Sequence, residues 1–115
     1  MTIKIVKEPV SISDIAKLAE GQFGDFVKAV VDIERGIMAL GGELHADEET
    51  SLLESGSKQE NLWGINIYPA LAGGDLVEFD SMINVRPAQG NRSRGVDDPA
   101  LRQKILEAVR KLVRS

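Results

Sequence analysis

Hydrophobic and polar positions along the first third of the chain change from a period of two to a helical period and back. Alternating Ile and Lys positions predict a strand over residues 2–7. Ser11 can cap a helix, and the apolar residues that follow at helical spacing predict that helix over residues 12–20. Two short runs rich in β-branched residues, 27–33 and 37–40, flank a three-residue turn and predict a hairpin.

The rest of the chain continues to alternate between helix and strand patterns. Asp47 is a good N-cap and predicts a short helix that ends near Gly56. Period-two alternation predicts strands over residues 61–68 and 76–85, and the second of these is the clearest strand pattern in the chain. The Asp-Pro pair at residues 98–99 predicts the start of an amphipathic helix with one broad apolar side.

These elements predict the order β-α-β-β-α-β-β-α and an α+β fold. Strands with one apolar and one polar face, joined by short hairpins, favour a mostly antiparallel sheet of about five strands. Three helices packed on the apolar face would complete a two-layer domain. No repeat and no linker divides the sequence, so we expect a single domain over residues 1–115.

Composition narrows the class of protein. A chain of 115 residues with 43% hydrophobic and 28% charged residues is typical of a globular domain with a real core. The absence of cysteine excludes disulfides and thiolate metal sites and favours a cytoplasmic location. No run approaches the roughly 18 apolar residues of a membrane span, so no membrane contact is predicted.

Charge is segregated along the chain. Residues 1–85 carry 6 basic and 15 acidic side chains, whereas residues 86–115 carry 8 basic and 3 acidic ones. The net charge of −4 argues against nucleic acid as a partner. One hypothesis follows from the segregation: the acidic body of one copy docks on the basic helix of another, which gives a homodimer with a structural or interaction role.

The first candidate site is the basic loop of residues 86–95. Gly90 and Gly95 permit backbone conformations in which amides converge on an anion, and two guanidinium groups can clamp a carboxylate or phosphate. The loop lacks the Gly-Lys-Ser/Thr ending of a nucleotide-binding P-loop, and no cofactor is predicted. The prediction is a binding module for a phosphate- or carboxylate-bearing small molecule, or for an acidic partner segment, through Arg86, Asn91, Arg92, Ser93 and Arg94. The alternative is a solvated turn, or arginines paired with the protein's own acids.

The second candidate site surrounds His45, the one histidine. If the backbone is extended there, Glu43, His45 and Asp47 lie on the same side. An imidazole and two carboxylates suit Mn, Fe or Zn, or a general acid–base pair. This predicts a metal-dependent, hydrolase-like enzyme, with Asp32 or Asp80 as further ligands. The alternative is that the acidic residues only begin a helix and that the histidine is an ordinary surface residue.

The third candidate is the polar side of the predicted strands. Such a face is usually only solvated, but a paired or buried carboxylate on it would suggest a function. Trp63 shares the opposite, apolar side with Ile65 and Ile67, which predicts that it belongs to the core. The polar positions that could line one open surface are Asp32, Asn66, Tyr68, Glu78, Asp80, Asn84 and Arg86.

Three segments carry a resemblance to a known family. They are residues 30–49, which contain Glu34-Arg35-Gly36 and Gly41-Gly42-Glu43, residues 61–69, and the loop residues 90–96. Together they resemble a family of small prokaryotic single-domain proteins that is classed as a domain of unknown function. The resemblance covers nearly the whole chain and implies no activity and no functional residue.

Overall fold

The computed structural model describes residues 2–115, which form seven strands and three helices. None of these helices has the length and apolar character needed to cross a membrane. The elements in chain order are β1 (Lys4–Val6), β2 (Val10–Ser11), α1 (Ile12–Glu20), β3 (Val27–Asp32), β4 (Ile37–Leu40), α2 (His45–Glu54), β5 (Leu62–Ile67), β6 (Val77–Glu78), α3 (Pro99–Leu112) and β7 (Val113–Arg114).

Five strands form one antiparallel sheet in the order β1-β4-β3-β5-β6. The central strand β3 pairs with β4 through the predicted hairpin and with β5 along its whole length, so Val31 lies between Met38 and Trp63. A separate parallel pair, β2 and β7, joins the start of α1 to the end of α3. The predicted α+β class, with an antiparallel sheet of five strands and three helices, is confirmed.

The helices lie on both faces of this sheet. One face carries Ala29, Val31 and Trp63 and packs against α1 and α3; the other carries Val30 and packs against Leu52 of α2. The predicted two-layer arrangement with all helices on one face is therefore wrong. The reason is visible in β3, whose Val27–Val31 stretch is apolar on both faces except at Lys28, as in strands that are covered from both sides.

Local signals placed most helix ends correctly. The hydroxyl of Ser11 accepts the Asp14 amide at 3.0 Å, and Asp98 accepts the Ala100 amide at 2.9 Å. Helix α2 differs, because it begins at His45 and not at the predicted Asp47 cap. Its N-cap residue has an apolar side chain, so no side chain satisfies the first amides of this helix.

The predicted strand 76–85 is mostly absent. Only Val77–Glu78 pairs with β5; residues 82–84 form a single 3₁₀ turn capped by the hydroxyl of Ser81. Ile83 crosses to the α2 face, where it packs near Val30. Asn84 then takes the place of a strand neighbour, because its side-chain amide exchanges two hydrogen bonds with the backbone of Gly64, at 2.8 and 2.9 Å.

Candidate functional site

Three neighbouring strands place a cation, an amide and a carboxylate in one row on the sheet face that α2 partly covers. Lys28 of β3 lies opposite Asn66 of β5, and Asn66 lies opposite Glu78 of β6. The row borders a cleft of about 530 Å³ that the first residues of α2 also line. We call it the polar cleft, and its charged, imidazole and amide side chains are Lys28, His45, Asn66, Glu78, Asp80 and Arg94.

His45 is the first residue of α2, and its side chain lies against the sheet. The residue is 8% exposed, and its Nε2 lies 2.7 Å from the carbonyl oxygen of Ile65. A carbonyl can only accept, so Nε2 carries the proton and donates it. Burial lowers the pKa of His45 below its ordinary 6.5, which keeps the ring neutral at pH 7. Within residues 2–115, Nδ1 has no partner and is left as an acceptor.

Asn66 and Tyr68 both donate to the same carboxylate oxygen of Glu78. The distances from Oε1 of Glu78 are 2.8 Å to Nδ2 of Asn66 and 3.1 Å to the Tyr68 hydroxyl. These bonds fix the orientation of the Asn66 amide, whose Oδ1 is buried and has no partner in the described part of the chain. A buried acceptor without a donor costs about 1–3 kcal/mol. Because Asn66 lines the cleft, a ligand that brings an N–H or O–H group to Oδ1 would satisfy this acceptor.

Arg94 and Asp80 form an ion pair at one side of the cleft. Nε of Arg94 lies 2.6 Å from Oδ1 of Asp80, and the two side chains are 57% and 43% exposed. Exposed pairs of this kind contribute at most about 1 kcal/mol, so the pair can rearrange. No other hydrogen bond of the Arg94 guanidinium is formed within residues 2–115, which leaves its terminal nitrogens available to a ligand.

The two arginines proposed as a clamp do not converge on one pocket. Arg92 is exposed and outside the polar cleft, whereas Arg94 lines it. The loop itself closes on Asp97, whose carboxylate accepts the Ser93 hydroxyl at 2.6 Å and the Arg92 amide at 3.2 Å. The Ser93 hydrogen bond is the main reason why the pKa of Asp97 is lowered. A carboxylate of the chain itself thus occupies the place that the sequence suggested for an anionic guest.

Arg86 and Asn91 hold the loop in place. The Arg86 guanidinium lies over the Trp63 ring, 4.6 Å from its centroid, and donates to the carbonyl oxygen of Leu62; it is also 3.5 Å from a carboxylate oxygen of Glu49. Asn91 is 4% exposed, and its amide donates to three backbone carbonyls and accepts the Asp97 amide. Trp63 is 3% exposed, which confirms its predicted place in the core.

Glu43, His45 and Asp47 are not brought together. Glu43 and Asp47 are exposed and line a different depression, beside residues 41–42, whereas His45 lines the polar cleft. The period of two fails here because the helix begins at His45, and residues 45 and 47 are then about 200° apart around its axis. Among residues 2–115 no group of three or more His, Asp or Glu side chains could hold a metal ion.

The other two proposed carboxylate ligands lie apart as well. Asp32 accepts the amides of Glu34 and Arg35, both at 2.9 Å, and so fixes the hairpin turn between β3 and β4. Asp80 is engaged with Arg94. Of the proposed polar sheet face, Asn66, Tyr68, Glu78 and Asp80 do meet in the polar cleft.

Glu48 is a buried acid one helical turn after His45. It is fully buried; its Oε2 accepts the Gly42 amide at 3.0 Å, and its Oε1 has no partner within residues 2–115. Burial raises the pKa of Glu48 to about 9, so the side chain is neutral at pH 7. Gly42 must be glycine here, because a Cβ would lie 2.7 Å from Cγ of Glu48.

An aromatic cluster borders the polar cleft through Phe26 and Tyr68. Phe23 and Phe26 are stacked with ring centroids 4.9 Å apart, and Tyr68 follows at 5.3 Å from Phe26. Nζ of Lys28 lies 5.2 Å from the Phe23 centroid, and Lys28 forms no ion pair within residues 2–115. Sequence reasoning did not single out Lys28 or Phe26. The available signal was a lysine inside an otherwise apolar strand.

Comparison with known proteins finds a match among protein-family models. A family model described as a protein of unknown function (DUF5674) matches residues 4–112. No curated protein and no solved structure matches the chain. The match covers every helix and strand of the fold except the last short strand, β7.

Proposed function

As the chain belongs to this family of proteins of unknown function, which has no activity to transfer, we propose from geometry that the polar cleft binds a small molecule with a carboxylate or phosphate group. The observation that carries the proposal is Lys28, a half-buried cation on the cleft wall with no carboxylate partner among residues 2–115. A half-buried ammonium group that lacks a carboxylate partner is stabilised when an anion binds beside it in the same cleft.

Two further features favour an anion at this place. Helix α2 points its uncapped N-terminus at the cleft through Leu44, His45 and Ala46, and the first amides of a helix favour negative charge. Arg94 also lines the cleft and adds its free terminal nitrogens. Glu48 does not oppose binding, because its raised pKa keeps it neutral.

The concave shape favours a small molecule over an acidic protein segment. A cleft of about 530 Å³ falls within the range of small-molecule sites, and its apolar rim includes the exposed side chains of Leu44 and Met82. Anion binding thus remains the proposed function, and of the arginines in the basic loop Arg94 is the one assigned to it.

The test is a titration followed by backbone amide resonances, with inorganic phosphate, succinate and phenyl phosphate as probes. We expect the amides of His45 and Ala46 to shift with at least one probe. Arg94→Gln and Lys28→Gln should each weaken binding about tenfold, the usual effect of losing one charge-assisted hydrogen bond. Asp80→Asn should tighten it, because it frees the Arg94 guanidinium.

Arg92→Gln is the matched control. It removes the same charge two residues away, from a side chain outside the cleft, and should leave binding unchanged. Equal weakening by Arg92→Gln and Arg94→Gln would show a diffuse charge effect and contradict a site in the cleft. Absence of shifts with all three probes would also contradict it.

A further inference from the structure

We infer that the molecule bound in the polar cleft carries a primary amino group beside its acidic group. The inference rests on the anion-binding function proposed above and adds the second half of the ligand. It rests on a group of hydrogen-bond acceptors in the cleft for which the chain provides no donor. The ligand class that results is an amino acid or a similar small zwitterion.

The unmet acceptors come from three elements, β5, α2 and β6. Oδ1 of Asn66 and Nδ1 of His45 belong to residues that are 6% and 8% exposed, and neither atom has a partner within residues 2–115. Glu78 uses Oε1 for its two internal hydrogen bonds and leaves Oε2 without a partner in the same part of the chain. An anion by itself brings no donor to these acceptors. An ammonium group brings three N–H donors and a positive charge for the carboxylate.

The charges of the cleft are separated in the way a zwitterion requires. Across the sheet, Lys28 and Glu78 lie on either side of Asn66, so their backbones are two strand spacings, about 10 Å, apart. The two side chains form no ion pair with each other. A ligand whose amino group lies near Asn66 and Glu78 can direct its acidic group towards Lys28 and the N-terminus of α2.

The remaining wall of the cleft suits an apolar or aromatic side chain. Phe26 and Tyr68 line the cleft, and so do the exposed side chains of Leu44 and Met82. Tyr68 is fixed through its hydroxyl to Glu78, which holds the ring beside the proposed amino position. An ammonium near an aromatic face gains further stabilisation. Phenylalanine therefore combines all three features: acid, amine and ring.

The experiment compares L-phenylalanine with 3-phenylpropionate, which has the same ring and acid but no amino group, and uses inorganic phosphate as a third probe. Binding is measured by amide shifts on the full chain. We expect phenylalanine to bind at least about tenfold more tightly than 3-phenylpropionate. Glu78→Gln should remove this preference, because the amino group loses its carboxylate partner, whereas Arg94→Gln should weaken the binding of both ligands.

The control variant is Glu54→Gln, which removes an exposed carboxylate at the far end of α2 and should keep the preference. Glu78 is exposed, so Glu78→Gln should fold, which circular dichroism checks. Equal binding of phenylalanine and 3-phenylpropionate, or a preference that survives Glu78→Gln, would overturn the inference while the anion site stands. No shift with any probe, phosphate included, would instead overturn the proposed function.

Discussion

Replacing the buried acid Glu48 by glutamine should change how the free energy of unfolding depends on pH. Glu48 keeps its proton in the native state up to about pH 9, whereas in the unfolded chain it loses it near 4.5. Between these values the unfolded state binds fewer protons, so stability is fully present below about 4.5 and is lost as pH rises towards 9. Glutamine does not titrate and still accepts the Gly42 amide.

The size of this loss of stability follows from the one proton that Glu48 releases on unfolding. The slope is at most about 1.4 kcal/mol per pH unit, and it falls to half near the native pKa, so the loss between pH 7 and 9 is about 2 kcal/mol. Burial is the largest cause of the shift; the Gly42 amide and Lys28 oppose it, and Asp47 adds to it. Between pH 7 and 9, His45 and Tyr68 add little to this change in stability. The pKa of His45 is lowered from 6.5, and that of Tyr68 is raised from 10.0, so both groups titrate outside this range.

The assay is urea denaturation at pH 7, 8 and 9, followed by the fluorescence of the one tryptophan, Trp63, which is buried. The parent chain should lose stability over this range, and Glu48→Gln should be nearly independent of pH. Glu54→Gln, which removes an exposed carboxylate of the same helix, should follow the parent. A parent chain with constant stability from pH 7 to 9, or a slope that persists in Glu48→Gln, would refute the reasoning.

Three further predictions concern the fold. Gly64→Ala should destabilise by about 1–3 kcal/mol, because its Cβ would lie 2.6 Å from the side chain of Ser81, whereas Gly74→Ala meets no atom within 4 Å and should be nearly neutral in the same urea assay. Asn91→Ala removes four hydrogen bonds of a buried amide and should cost about 3 kcal/mol, measured as a lower denaturation midpoint; a change below about 1 kcal/mol would contradict this role. The pKa of His45 is lowered in the folded chain, so as pH falls through 6.5 the unfolded chain binds a proton at this residue before the folded chain does. The free energy of unfolding should therefore decrease between pH 7 and 5.5. His45→Gln should reduce this decrease, measured as the difference between the urea midpoints at the two pH values.

The elements that depend on sequence neighbours were predictable. Ser11 and Asp98 cap helices whose amides lie two or three residues away, and the hairpin turn satisfies its own amides through Asp32. The prediction of a strand over residues 76–85 was wrong for a related reason. An alternating pattern also arises where a chain crosses from one side of a sheet to the other, and Ile83 does this beyond the short strand β6.

The sequence by itself determined which residue types are present, where the helices are capped and how the apolar residues are spaced. Caps and spacing depend only on residues within one or two helical turns of each other. Only the tertiary structure decided which polar side chains meet. The pairing of β3, β5 and β6 brings Lys28, Asn66 and Glu78 into one row, and the early start of α2 adds His45. The pairing of these strands joins residues up to 40 positions apart through backbone hydrogen bonds and shared burial, and neither leaves a local pattern in the chain.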